Sequence, residues 1–101
     1  MTSFFEVSYS ENAVNDIRDI LQYSLDSWGT SQQDEYASAI DRAIDQLAHV
    51  PFSGTLMSEK FPHRRRLPLK EHVIIYRVDA AIVTILRIVH KRRDFDSLFI
   101  E

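Results

Sequence analysis

The 101-residue chain is predicted to form one α+β domain, residues 1–101, with the element order β-α-α-β-β-β. An opening strand precedes a two-helix antiparallel hairpin, which packs on a small, mainly antiparallel β-sheet. Three observations predict this class. Apolar residues recur at three- and four-residue spacing through the first half, the period of helices with one buried face. Residues 72–78 and 81–89 are dominated by Val, Ile and Tyr, as in strands. Only Asp79 and Ala80 lie between those runs, so they should fold back as a hairpin.

Residues 7–9 form the opening strand. Val14, Ile17, Leu21, Leu25 and Trp28, with Ala13 and Ile20 beside them, give an amphipathic helix from residue 11 to about 26, with Ser10 as N-cap. Trp28 is expected at the edge of the core, where truncation would cost ~3–5 kcal/mol. After Gly29 and Thr30 a second helix begins, with Ser31 as N-cap and Asp34 completing a loose capping box. Its apolar positions are Tyr36, Ala37, Ile40, Ala43, Ile44, Leu47 and Ala48, and Pro51 should stop it near His49. In the segment that follows, broken by Pro51, Gly54, Pro62 and Pro68, only residues 63–67 look strand-like. Alternation puts Arg64 and Arg66 on one face and Arg65 on the other. In the hairpin, an Asp79-Ala80 turn would pair residue 72 with 87 and put His72 and His90 on opposite faces, although Ala80 is a poor residue for positive φ.

No run approaches the ~20 apolar residues of a membrane span, and MTSFFEVSYS lacks the regions of a signal peptide, so a cytoplasmic protein is expected. Absent cysteines exclude disulfides and thiolate metal sites. The net charge of -3 hides a division. Residues 1–50 hold nine acids and two bases (-7), and residues 51–101 six acids and ten bases (+4). An acidic helical side and a basic sheet side follow, the latter suited to an anionic partner.

Familiar enzyme patterns are missing. His49, His63, His72 and His90 lack the spacing of a helical metal site, so no metal and no cofactor is expected. There is no GxSxG elbow, and with only Gly29 and Gly54 there is no phosphate-binding glycine loop. Both helices are acidic, which argues against direct DNA recognition by a helix.

The run HVIIYRV followed by ILRIVHKRRD resembles toxins of the RelE/ParE superfamily of bacterial toxin–antitoxin modules, the ParE branch most closely. The resemblance extends along nearly the whole chain: opening strand, serine-capped helix, Trp28-Gly29 break, LAHVP, Gly54 loop and RRLP. It implies the RelE/ParE toxin fold and the toxin of a type II system that poisons DNA gyrase by protein binding, without a catalytic side chain. Arg87, His90, Lys91, Arg92 and Arg93 are the expected target-binding surface. For Arg87 the alternative is a salt bridge to Glu71; for residues 91–93 it is a solvated strand end.

The resemblance also implies a ParD-like antitoxin, whose tail folds on the toxin as a helix and extended stretch in a toxin–antitoxin hetero-oligomer, and which makes any DNA contact. Tyr23, Tyr36 and Phe52 are the expected apolar contacts, with Arg64, Arg65 and Arg66 for acidic side chains. Tyr23 and Tyr36 also fit ordinary core-edge positions, and the arginine run also fits a blunted sheet edge. The enzymatic alternative is the messenger-RNA endonuclease activity of the RelE branch. Arg92, beside Lys91, matches that branch's cation after the last strand. Its strand arginine falls instead at Val73, and its C-terminal tyrosine near Leu98 or Phe99. A nuclease here would therefore rely on Arg77, His90 and Arg92.

Overall fold

The computed structural model describes residues 4–93. Seven elements follow in chain order: β1 (Glu6–Tyr9), α1 (Glu11–Trp28), α2 (Thr30–His49), β2 (Thr55–Ser58), β3 (Phe61–Leu69), β4 (His72–Asp79) and β5 (Ile82–His90). The strands form one sheet in the order β1-β5-β4-β3-β2. β1 lies parallel to β5 at one edge, and the other pairings are antiparallel. The α+β class stands, with one strand more than expected: β2 fills four residues of the segment read as loop and pairs with β3. Its sequence, Thr-Leu-Met-Ser, is too short to show a period.

Ser10 caps α1 as expected, its hydroxyl accepting from the Ala13 amide at 3.0 Å. The buried stripe is rotated from the expected one. Ala13 and Ser24 are buried and Ile17, Ile20 and Leu21 pack on the core, whereas Val14 is exposed. Trp28 is 68% exposed, so its expected place in the core is incorrect. The joint to α2 explains this: Gly29, at φ 90°, is both the last cap of α1 and the first of α2, so the chain reverses on one residue. That φ needs glycine, although a Cβ there would meet nothing within 4 Å. α2 consequently starts at Thr30 with no side-chain cap, and Ser31 lies inside the helix rather than at its cap. It ends at His49, as the proline required.

Ala39, Ile40, Ala43 and Leu47 from α2 and Ala13 from α1 close over Leu69, Ile74, Tyr76, Val83, Ile85 and Ile88 of the sheet. Tyr76 is fully buried, and its hydroxyl is satisfied twice: it donates to the Pro51 carbonyl and accepts from the Gly54 amide, both at 2.9 Å. A Cβ at Gly54 would come within 2.4 Å of that hydroxyl, so this close approach, not a turn, is what the glycine serves. On the far face Val73, Ile75 and Val89 form a smaller cluster with Met57 and Leu86.

The β4–β5 hairpin departs from the expected register in two places. Asp79 pairs with Ile82, so the turn is Ala80-Ala81, one residue later than expected, with Ala80 held at φ 51°. Tyr76 then pairs with Ile85 but Ile75 with Arg87, leaving Leu86 as the extra residue of a β-bulge. Beyond the bulge His72 pairs with His90, on the same face and not on opposite faces. α1 holds this bulge. The Ser10 hydroxyl donates to the Leu86 carbonyl at 2.7 Å, and the Asp16 carboxylate accepts from the Ile88 amide at 2.9 Å and from Arg87 at 2.8 and 3.1 Å. Replacing Asp16 with Ala strands a largely covered guanidinium and a strand amide. The expected loss is about 2–4 kcal/mol, read by urea unfolding; an unchanged midpoint would mean that the bulge forms without this tie.

Candidate functional site

A groove of about 610 Å³ opens between the second half of α1, the start of α2, the β3–β4 turn and the end of β5. Ile20, Tyr23, Trp28 and Tyr36 give it aromatic and aliphatic walls; His72 and His90 line its sheet side, and Asp19, Gln32 and Glu71 contribute polar groups. Tyr23 and Trp28 are 67% and 68% exposed, one and a half helical turns apart on α1. Their exposure makes these rings wall and not core. Exposed aromatic residues beside a concavity are the usual signature of a recognition surface.

The sheet side is polar and interlocked. The Tyr36 hydroxyl and His72 Nδ1 share a hydrogen bond, and the same hydroxyl lies 3.4 Å from the Leu69 carbonyl. The His72 and His90 rings meet edge to face at 5.6 Å. Partial burial, reinforced by His90, lowers the His72 pKa, against the opposing pull of Glu71 and Asp16. Burial raises the Tyr36 pKa, opposed by hydrogen bonding to the Glu71 backbone and with a smaller push from the Glu71 charge. His90 Nδ1 accepts from the Arg92 amide at 3.2 Å. An amide only donates, so the neutral His90 ring carries its proton on Nε2.

The strand exit is a tight turn on His90, whose carbonyl accepts from the Arg93 amide at 2.9 Å. Lys91 reaches Glu71 at 3.1 Å while its amide donates to the Glu71 carbonyl at 2.9 Å. The Lys91 hydrogen bond is the main reason that the Glu71 pKa is lowered. Arg92 and Arg93 are exposed.

The expected target-binding residues are thus divided. His90 lines the groove, and Lys91, Arg92 and Arg93 follow it in the chain, outside the lining. Arg87 is committed to Asp16, and the salt bridge expected from Arg87 to Glu71 is absent because the register sets Arg87 opposite Ile75, four residues from Glu71, which pairs with Lys91 instead. The residues expected to bind an antitoxin divide three ways. Tyr23 and Tyr36 line the groove. Phe52 lies elsewhere, at the end of α2, with Phe5 at 6.5 Å and Arg65 stacked on it at 5.0 Å. Arg65 also donates to the Phe52 and Gly54 carbonyls. Arg64 and Arg66 are on the sheet face away from the helices, opposite Arg77 and Ile75.

The nuclease set does not assemble. Arg77 pairs with Thr84, six residues along β5 from His90 and so ~20 Å away, and is bonded to Asp79 at 2.8 Å. His72 and Tyr36 stand beside His90 instead, a grouping with no trace in the sequence because it depends on the bulge. Leu98 and Phe99 lie outside the described residues. Among the described residues no group of three or more His, Asp or Glu is placed to hold a metal, and no helix is long and apolar enough to cross a membrane.

A small α+β fold with two helices packed on a five-stranded mixed sheet is the fold of toxins of the RelE/ParE superfamily. Residues 7–95 match the family described as "ParE toxin of type II toxin-antitoxin system, parDE", and the chain belongs to that family. It is similar to Toxin ParE1 of Mycobacterium tuberculosis, 31% identical over 81 residues that cover 79% of this chain and 83% of the relative. The fold is shared with the chromosomal ParDE system from P. aeruginosa, with a TM-score of 0.73 at 20% identity, covering 85% of this chain and 95% of the other. It is shared too with the RelBE2 toxin–antitoxin complex from Mycobacterium tuberculosis, with a TM-score of 0.66 at 19% identity, covering 87% and 99%.

Two consequences concern this site. Trp28→Ala is expected to cost under ~1 kcal/mol of stability, the scale of a surface change, and a fall in melting midpoint on the core scale would place the ring inside. For His72 the folded pKa is lowered, so the unfolded chain binds the proton first. Stability should fall as pH drops below the ordinary imidazole value of about 6.5 toward the lower folded value. His72→Gln should flatten that slope in denaturation series across the range, and an unchanged slope would assign it to other groups.

Proposed function

We propose that this chain is the toxin of a type II pair that inhibits DNA gyrase by protein binding and is neutralised by a ParD-like antitoxin in a hetero-oligomer. The carrying observation is the groove itself. Exposed Tyr23 and Trp28 line it together with His90, after which Lys91, Arg92 and Arg93 follow in the chain, and Trp, Tyr and Arg are the side chains that dominate protein–protein binding energy. The P. aeruginosa and M. tuberculosis structures named above are of toxin–antitoxin systems, which supports an antitoxin for this chain. Arg64, Arg65, Arg66 and Phe52 lie outside the groove, so an antitoxin touching them as well as Tyr23 and Tyr36 would have to wrap the toxin. A tail that orders on binding does this. Operator DNA is contacted through the antitoxin, no cofactor is required, and the setting is the cytoplasm.

A second reading, a ribosome-dependent messenger-RNA endonuclease, is favoured by one observation. His72, His90 and Tyr36 gather proton-exchanging groups near Arg92, as phosphodiester cleavage would require. Toxin freed from its antitoxin separates the two readings when assayed for gyrase supercoiling and plasmid cleavage beside ribosome-dependent cleavage of a message. The expected result is lost supercoiling, accumulated cleaved plasmid and intact message, with Arg92→Ala combined with Arg93→Ala relieving the effect at least ~10-fold. Cleaved message with normal supercoiling would overturn the gyrase reading and make His72 and His90 the next residues to replace.

A further inference from the structure

Both helices pack on one face of the sheet, over Ile74, Tyr76, Val83, Ile85 and Ile88. The other face is apolar near the start of β4 and the end of β5, where Val73, Ile75 and Val89 cluster with Met57 and Leu86 beside them. Among the described residues no helix lies over that cluster. Yet Val73 and Val89 are buried, and Ile75 is 0% exposed. Side chains stand roughly perpendicular to a sheet, so strand neighbours cover their flanks and leave their tips to solvent. A fully covered isoleucine on such a face calls for a second layer.

The chain beyond Arg93 has the composition of one. Residues 94–101 read Asp-Phe-Asp-Ser-Leu-Phe-Ile-Glu, and Phe95, Leu98, Phe99 and Ile100 are large apolar side chains. The last described turn sets their starting point. The Arg93 amide donates to the His90 carbonyl at 2.9 Å, closing a reverse turn, and the Lys91 amide donates to the Glu71 carbonyl at 2.9 Å, which pins that turn against the start of β4. His72 pairs with His90 there, and Val73 pairs with Val89 one step inward. Ile75 is three residues along β4 from His72, ~10 Å away. The chain from Arg93 to Phe99 spans up to about 20 Å when extended, so it reaches the whole cluster.

The groove is the other apolar surface near this exit. Its Tyr23 and Trp28 rings are largely exposed, whereas the far-face cluster is buried, so the cover belongs to the far face. Arg66 pairs with Ile75 and borders that cluster. A guanidinium has several donors, so Arg66 can meet a carboxylate from Asp94 or Asp96 in addition to the partner it already has.

We propose that residues 94–101 form a strap across the far face of the sheet, with Phe95, Leu98 and Phe99 over Val73, Ile75 and Val89. With the exit turn held on one side by the Glu71 carbonyl and on the other by the strap, Arg92 and Arg93 are presented from a fixed segment and not from a loose end.

The test is nuclear magnetic resonance on the full chain with labelled methyl groups and phenylalanine rings. Cross-relaxation is expected from the Val73, Ile75 and Val89 methyls to the Phe95 or Phe99 ring. Contacts of those two rings with Tyr23 or Trp28 instead would put the segment in the groove and overturn the strap. A sample that mixes labelled with unlabelled chain shows whether the far-face contacts lie within one molecule; signals that cross between molecules would mean that a second copy covers the face, and would also overturn it. Leu98→Ser combined with Phe99→Ser reads the cover in a second way and leaves all seven described elements unaltered in sequence. In that variant a soluble paramagnetic agent should relax the Ile75 methyls severalfold faster than in wild type, and the melting midpoint should fall by several degrees. Equal relaxation with an equal midpoint would show that Ile75 is covered without the segment.

Discussion

The geometry of the groove depends on one carboxylate. Asp16 accepts from two guanidinium nitrogens of Arg87 and from the Ile88 amide, and with the Ser10 hydroxyl on the Leu86 carbonyl it fastens α1 to β5 where the strand carries an extra residue. Side chains alternate along a strand, so one inserted residue reverses the face of everything beyond it. Had the register at the hairpin turn continued, His72 would oppose Val89 and His90 would point away from the helices. Because Leu86 is bulged, His90 faces His72 and joins Tyr23 and Trp28 in the groove lining. The ion pair therefore acts at a distance, by setting the parity of the strand it grips.

The same alternation separates the arginines of β3. Arg65 shares the helix-side face with Tyr76, reaches the loop carbonyls of Phe52 and Gly54, and stacks on Phe52. Arg64 and Arg66 share the other face with Arg77 and Ile75. Three consecutive arginines in the sequence thus serve two surfaces. The acidic first half of the chain lies in the helices and the basic second half in the sheet, so the far face carries cationic character without helical acids above it.

Legibility followed the range of the physics. The two helices, the Ser10 cap and the stop at His49 are set by residues within a turn or two of each other, and the sequence displays them. The β4–β5 pairing is equally visible in its β-branched run. What it hides is long-range or one residue wide. The bulge answers to Asp16, seventy-one positions before Arg87. The one-residue joint at Gly29 puts Trp28 at the very end of its helix, exposed although it continues the stripe of Leu21 and Ser24, and puts Ser31 inside the next helix. The parallel placement of β1 beside β5 is a tertiary choice for which a four-residue strand gives no local sign. At the groove, Tyr23, Tyr36, His90 and the exit cations were legible as residue types worth noticing, whereas His72 and Trp28 became partners only through the register and the joint.

These two hidden features also decide what the groove is suited to do. An exposed tryptophan and tyrosine on a helix offer a wide, rigid apolar surface at little entropic cost, which favours a macromolecular partner over a small substrate. The imidazoles are less well arranged for acid–base work. His90 Nδ1 is engaged by the Arg92 amide and His72 Nδ1 by Tyr36, so each ring has one nitrogen committed to holding its own pose. Burial and the neighbouring ring disfavour a proton on His72, and Arg77 is at the opposite end of the sheet. A surface whose polar groups mostly orient one another, while its aromatic groups face outward, is better organised for recognition than for turnover.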